Sequence, residues 1–194
     1  MQVTGEVEMR RLPRGSHGVP AEVVRRNQRE RLVAAMAEEC AEAGYAEATV
    51  SGVAKRAGVS SLTFYKQFKS KRECMLAAHG ELLGRLLEAL DRRAEEEDGV
   101  AAKARTALRT ALAIFAADPP SAHLLTLGIL AAGPEGVERH DAMAAAFAAR
   151  LDTDWVRAAG LLALVGKLVV TGEADRVPAL EEELAGTLSS QSHR

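Results

Sequence analysis

The sequence predicts an all-α chain of about nine helices, and three observations carry that expectation. Ala (37) and Leu (23) dominate the 194 residues, and both are strong helix formers that lose little rotamer freedom. None of the six prolines lies between Pro20 and Pro119, so long helices can run there unbroken. Aromatic residues are only 4%, few for the strands of a β-sandwich or barrel. At 47% hydrophobic, the chain has material for a packed core, and its length allows one or two domains.

The first helix runs from about Pro20 or Asn27 to Ala43, with Leu32, Val33, Met36 and Cys40 at helical spacing. Gly44 supplies a left-handed terminus. Thr49 is placed to cap a second helix, Val50–Ala57, that turns Val50, Val53 and Ala54 inward. After the turn at Gly58-Val59, Ser60 caps a third helix, Ser61–Gln67. Ser70 with Glu73 forms a capping box for a fourth, Lys71 to about Glu95, striped by Met75, Leu76, Leu82, Leu83, Leu86, Leu87 and Leu90. Glu95–Asp98 puts acid at the wrong pole of that helix and predicts fraying. A fifth helix spans Val100–Ala117 with Leu108, Leu112 and Phe115 inward, and a sixth spans Ser121–Ala131 with Ser121 as cap. Pro134 opens a seventh to Leu151, and an eighth follows Asp152 or Thr153 to Thr171. Pro178 opens a ninth that ends near Ser189.

Net charge is −2, yet residues 1–72 carry 13 Lys/Arg against 8 Asp/Glu and the remainder 12 against 19. A basic third on an acidic body predicts that only the first third meets a polyanion. Segment 1–19 lacks the apolar run of a signal peptide and reads as a basic arm, with Arg10, Arg11 and Arg14 suited to a minor groove. Leu12-Pro13-Arg14-Gly15-Ser16-His17 reads equally as a protease-site scar or as native arm. The longest apolar stretch, Ala158–Val170, is interrupted by Lys167 and too short to span a membrane. Cys40 and Cys74 sit in helical patterns, which predicts buried free thiols and a cytoplasmic protein.

The second and third helices and the Gly turn between them have helix-turn-helix proportions. Ala57 permits close helix contact, Gly58 takes positive φ, Val59 plugs the core and Ser60 caps. On the third helix Thr63, Lys66 and Gln67 lie beside Leu62 and Tyr65, giving a polar face fit to enter a major groove.

Gly44-Tyr45, Thr49-Val50, Val53-Ala54, Ala57-Gly58-Val59-Ser60, Thr63-Phe64-Tyr65, Phe68 and Ser70-Lys71 resemble the DNA-binding domain of tetracycline-repressor (TetR) family regulators. The resemblance covers about Arg29–Leu83. Gly52 departs from it where an acidic residue is common, and Leu62 where a small one is usual. The resemblance implies a homodimeric repressor released from a palindromic double-stranded DNA operator by a small effector. It implies Thr49, Tyr65 and Lys71 as phosphate clamps and Ser61, Leu62, Thr63, Lys66 and Gln67 as base-facing positions. Ser60 is counted with these DNA-binding residues. Residues 1–19 are then the arm, 20–70 the helix-turn-helix domain and 71–194 the ligand-binding and dimerisation domain.

In the body, Phe115, Leu124, Leu127, Met143, Phe147 and Trp155 are the candidate lining of an apolar effector pocket, or plain core. His123 and Thr126 would add polar specificity to such a pocket, and Met75 and His79 lie where helix 4 meets the DNA-binding domain. Dimerisation is assigned to helices near 153–172 and 176–190. Small residues there, such as Gly160, Ala163 and Gly166, permit close helix approach. His79-Gly80-Glu81 and Glu138-Arg139-His140-Asp141 lack zinc spacing, and no phosphate loop or nucleophile elbow occurs. No metal, cofactor or enzymatic activity is expected. The alternative reading is a helical adaptor or small-molecule-binding protein of the same fold that does not bind DNA.

Overall fold

The computed structural model describes residues 20–180, side chains of 178 and 179 excepted. They form α1 (Ala21–Glu47), α2 (Val50–Arg56), α3 (Ser61–Gln67), α4 (Lys71–Ala94) and α5 (Val100–Ala117). There follow α6 (Pro119–Thr126), a 3-10 turn (Gly128–Ala132), α7 (Pro134–Arg150), α8 (Trp155–Val170) and a second 3-10 turn (Ala174–Ala179). No strand occurs among the described residues, and none of their helices is long and apolar enough to cross a membrane. The basic arm and most of the expected ninth helix lie outside the described residues.

Local signals set most helix ends. The helical part of α1 stops where Gly44 turns to φ 76°. Thr49, Ser60 and Ser70 each accept a hydrogen bond from the backbone N–H three residues on. The Glu73 carboxylate accepts from the Lys69 N–H at 2.6 Å, closing the start of α4 from the other side.

Four helix ends correct the sequence reading. Asp118, not Ser121, caps α6, accepting from the Ser121 N–H at 3.1 Å. The intervening prolines have no N–H to satisfy and fit the first turn. That helix does not continue to Ala131: it ends at Thr126, and the tighter 3-10 turn swings Ile129 into the core beside α1. Asp154, not Asp152 or Thr153, caps α8, because Asp152 takes up the reversal at φ 49°. At Pro178, where the sequence places the start of a helix, the chain is in its second 3-10 turn.

Two apolar clusters organise the molecule. One joins α1–α3 to the first turns of α4 through Leu32, Met36, Val53, Phe64, Phe68 and Met75. It also takes Leu124 of α6 and Ile129 and Ala132 of the 3-10 turn. The other is built from α5, α7 and α8 around Leu108, Leu112, Phe115, Met143, Phe147 and Leu162, and receives Leu86 and Leu90 of α4. Helix α4 therefore belongs to both. Cys40 and Cys74 are buried free thiols, and burial pushes the Cys40 thiol up to about 11.

Candidate nucleic-acid interface

The turn between α2 and α3 is built by its backbone. Gly58 sits at φ 62°, a conformation that costs a side-chain-bearing residue energy. The Gly58 and Val59 N–H groups bond back to the Lys55 and Ala54 carbonyls at 3.0 and 2.9 Å. Ser60 then starts α3, its Oγ 3.1 Å from the Thr63 N–H and 3.0 Å from the Thr63 hydroxyl.

Helix α3 is held from below by aromatics. Phe64 and Phe68 are buried with ring centroids 5.7 Å apart, and Tyr65 meets Phe64 edge-on at 5.5 Å. The Arg29 guanidinium lies 4.5 Å over the Phe68 ring and donates to Glu81 at 2.6 Å. The opposite face is open. Leu62 is 68% exposed and Tyr65 56%, with Ser61 and Lys66 beside them. Thr49 is exposed at the start of α2, its hydroxyl accepting from the Gly52 N–H at 2.9 Å. Helix α2 is fixed to α1 by Arg56, which bonds Glu42 at 3.0 Å and also reaches Glu38 and Glu39. A Cβ at Gly52 would lie 2.0 Å from the Glu39 carboxylate. The Glu39 carboxylate of α1 thus occupies the space that a side chain at position 52 would take.

Two predicted contacts are corrected. Lys71 is not a free phosphate clamp: its Nζ donates to the carbonyls of Tyr45 (2.7 Å), Ala46 (3.3 Å) and Ala48 (2.7 Å). It also sits 4.4 Å over the Tyr45 ring. An ammonium has three N–H donors, and all three are taken. Gln67 is turned away from the open face, donating its amide to the Arg25 carbonyl at 3.1 Å, because it lies one turn after the buried Phe64 rather than beside Leu62. The cations left exposed and without a side-chain partner among the described residues of this face are Lys55, Lys66 and Lys69. Lys55 and Lys69 were missed in the sequence, where their only signal was a place just outside the recognition helix.

Among the described residues, the body residues expected to line a pocket or fill the core fall into different surroundings. Phe115 and Phe147 stack at 6.2 Å, and with Met143 they fill the second cluster. Leu124 belongs to the other cluster because α6 crosses α1. Leu127 is half-buried, and Trp155 is 46% exposed because it precedes the buried face of α8, which begins at Ala158. His123 has a buried Nδ1 with no partner, and the Thr126 hydroxyl is spent on the Ala122 carbonyl at 2.7 Å.

The seam between the clusters carries crossed hydrogen bonds. Arg72 of α4 donates to the Ala132 carbonyl at 3.2 Å, and Arg139 of α7 donates to the Leu76 carbonyl in α4 at 3.2 Å. Glu135 pairs with both arginines, at 3.0 and 3.2 Å. Gly136 lets α7 approach so closely, since a Cβ there would lie 2.1 Å from the Ile129 carbonyl. His79 is buried beside this seam with its Nε2 unpartnered. Burial first, then the nearby Arg139 and His140, lower its pKa to about 4.

Residues 32–78, which contain this interface, match the family of bacterial regulatory proteins named tetR. The fatty acid metabolism regulator protein of Bacillus subtilis (strain 168) is 33% identical over 66 residues, which are 34% of this chain and 34% of that protein. The matched part thus spans about a third of that relative's length. FadR of Bacillus subtilis, solved in complex with stearoyl-CoA, shares the fold with a TM-score of 0.72 at 21% identity, over 83% of this chain and 97% of its own. The fatty acid degradation regulator FadR of Bacillus halodurans aligns at 0.69 and 20% identity, over 84% and 98%. PfmR of Thermus thermophilus aligns at 0.63 and 19% identity, over 84% and 100%. The similarity to the tetR family of bacterial regulatory proteins thus lies in residues 32–78, the part that holds α2, the turn and α3.

Proposed function

We propose that the chain is a ligand-responsive transcriptional regulator and not an enzyme: a homodimeric repressor of the bacterial cytoplasm, released from a palindromic operator by an apolar effector. The observation that carries the reading is the open face of α3. Ser61, Leu62, Tyr65 and Lys66 project from a helix that Phe64 and Phe68 anchor. The packing of the domain uses the Tyr65 ring against Phe64 but gives the exposed Leu62 no role, whereas a DNA duplex offers thymine methyls to the leucine and phosphates to the tyrosine hydroxyl. Thr49, with a hydroxyl proton still to donate, and Lys55 and Lys69 flank the same face as phosphate contacts. Residues 20–70 supply the DNA contacts, and 71–194 sense the effector and dimerise.

The dimer surface is the outer face of α8. Val156 (71% exposed), Gly160, Ala163, Leu164 (37%) and Val170 (59%) lie along it with Lys167 among them, a mostly apolar strip that a second copy would cover. The expected partner segment at 176–190 lies mostly outside the described residues. The effector class we favour is a long-chain fatty acyl-CoA. Its support is the stearoyl-CoA held by a protein of the same fold and the fatty-acid role in the name of the sequence relative.

Selection from random duplex DNA tests the reading. The wild type should enrich a two-fold symmetric site, with half-sites about one or more helical turns apart. Leu62→Ser should enrich a different base at one position in each half-site. Failure of the wild type to enrich any sequence overturns the proposal.

A further inference from the structure

Resting on the acyl-CoA reading of the effector, we infer that the groove between the C-terminal half of α4 and the outer face of α5 is where that ligand's phosphate-bearing head binds, with Arg92 and Arg93 as its anion ligands. The groove has a volume of about 830 Å³, within the range of small-molecule clefts and far larger than a lone phosphate needs. The apolar part of its floor is Ala89, Ala113, Ile114 and Ala117, and Thr106, Arg109 and Thr110 of α5 line it beside them. Arg92 and Arg93 stand at its edge, exposed, with no partner among the described residues.

Most other arginines near the seams of the fold are spent. Arg29, Arg56, Arg72, Arg139 and Arg150 each hold a carboxylate. The pole of α4 favours cations at its last turn, which accounts for the charge of Arg92 and Arg93 but not for the apolar hollow beside them. Two acids also line the groove, Glu96 and Glu97. The Thr106 hydroxyl holds Glu97 at 2.8 Å, against the α5 wall. A guanidinium pair at the edge of a floor of three alanines and Ile114 suits an amphiphile, with phosphates on the arginines and an apolar body below.

Position gives the site a route to the DNA. Helix α4 runs without interruption from the groove to Lys71, about 30 Å at 1.5 Å per residue. On its other side, Asp91 is clasped by Arg150 of α7 through two bonds of 2.8 Å. A ligand wedged in the groove therefore parts α4 from α5 while α7 keeps its hold, and the far end of α4 tilts.

The test is titration of the full chain with palmitoyl-CoA, coenzyme A and palmitate as separate probes, with operator binding followed by fluorescence anisotropy in the same samples. Wild-type protein should bind palmitoyl-CoA and release operator. The double variant Arg92→Ala, Arg93→Ala should bind palmitoyl-CoA at least tenfold more weakly, with a shallower salt dependence, and bind operator within twofold of wild type without ligand. Ala113→Trp, which fills the groove and leaves the arginines, should abolish palmitoyl-CoA binding. Coenzyme A should bind weakly and depend on the same two arginines, and palmitate should not depend on them. Unchanged palmitoyl-CoA affinity in the double variant overturns the inference, as does wild type that binds none of the three probes. Palmitate that binds as tightly and with the same arginine dependence also overturns it, since the head would then be a carboxylate. Failure of the wild type to bind operator refutes the regulator reading instead, and is seen in the same titrations.

Discussion

Lys71→Ala separates two roles that a lysine in this position can have. In the structure its ammonium ties the end of α1 to the start of α4 through three carbonyls, two of them at 2.7 Å, and the Tyr45 ring. A hydrogen bond to a charged group is worth about 1.5–3 kcal/mol net. The three are not additive, because Lys71 is only half-buried and the freed carbonyls regain water. Together with the ring contact, a loss of about 2–4 kcal/mol follows. For a chain of this length each kcal/mol moves the midpoint by about 2–4 °C, so the variant should melt about 5–15 °C lower. Its operator affinity, measured at a temperature where it is folded, should keep a salt slope within a few tenths of wild type. A lysine that neutralised a phosphate would give the reverse, an intact melting temperature and a slope flattened by about one. That second result would refute the carbonyl assignment.

The His79 imidazole is buried neutral with its pKa lowered from 6.5 to about 4. The unfolded chain therefore binds the extra proton between those values, and stability falls as pH drops from about 6.5 toward 4. The full loss is about 3 kcal/mol, and His79→Leu should flatten that part of a melting-versus-pH curve. Leu164→Glu places a charge on the exposed strip of α8. Light scattering should then report monomers, with a melting temperature that no longer rises with protein concentration, and persistent dimers would move the interface elsewhere. Phe147→Ala removes a fully buried ring stacked on Phe115. It should cost about 3–5 kcal/mol in calorimetry, and a cost below about 1 kcal/mol would mean that the ring faces open space after all.

What was legible in the sequence was what is local. Thr49, Ser60 and Ser70 cap their helices because a cap is a bond to a backbone N–H three residues away. Gly58 was readable for the same reason, since positive φ is a property of one residue. Asp118 and Ser121 are both good caps three residues apart, and only the prolines between them decide for the first. The partners of Lys71 and Gln67 were hidden because they lie 23–42 residues away, where no spacing rule reaches. Periodicity marked Leu124 and Phe115 as inward-facing. It has no means of saying that α6 turns one toward α1 while α5 turns the other into the second cluster. Trp155 misled because a large aromatic reads as core, and it stands one step ahead of the face that is buried.

In the proposed regulator, the exposed ion pairs at the seam between the clusters suit a switch. Arg72 and Arg139 reach across it in opposite directions, and Glu135 stands between them, with side chains 38–48% exposed. Such pairs are worth about 0–1 kcal/mol each. A buried pair would cost about 3–5 kcal/mol to break, more than the roughly 1–3 kcal/mol by which one bound ligand typically changes affinity for another. An effector can shift α4 only by its own differential affinity for the two poses. A latch of this strength fits within that limit, and a buried one would exceed it. Glu135→Ala leaves both guanidiniums on their carbonyls but removes the charge between them. It should therefore lower the melting temperature by only a few degrees. The effector concentration that releases operator should shift several-fold, because the ligand now works against a weaker latch. Effector release that stays at its wild-type midpoint, in a variant that binds operator normally, would take the seam off the path between the two sites.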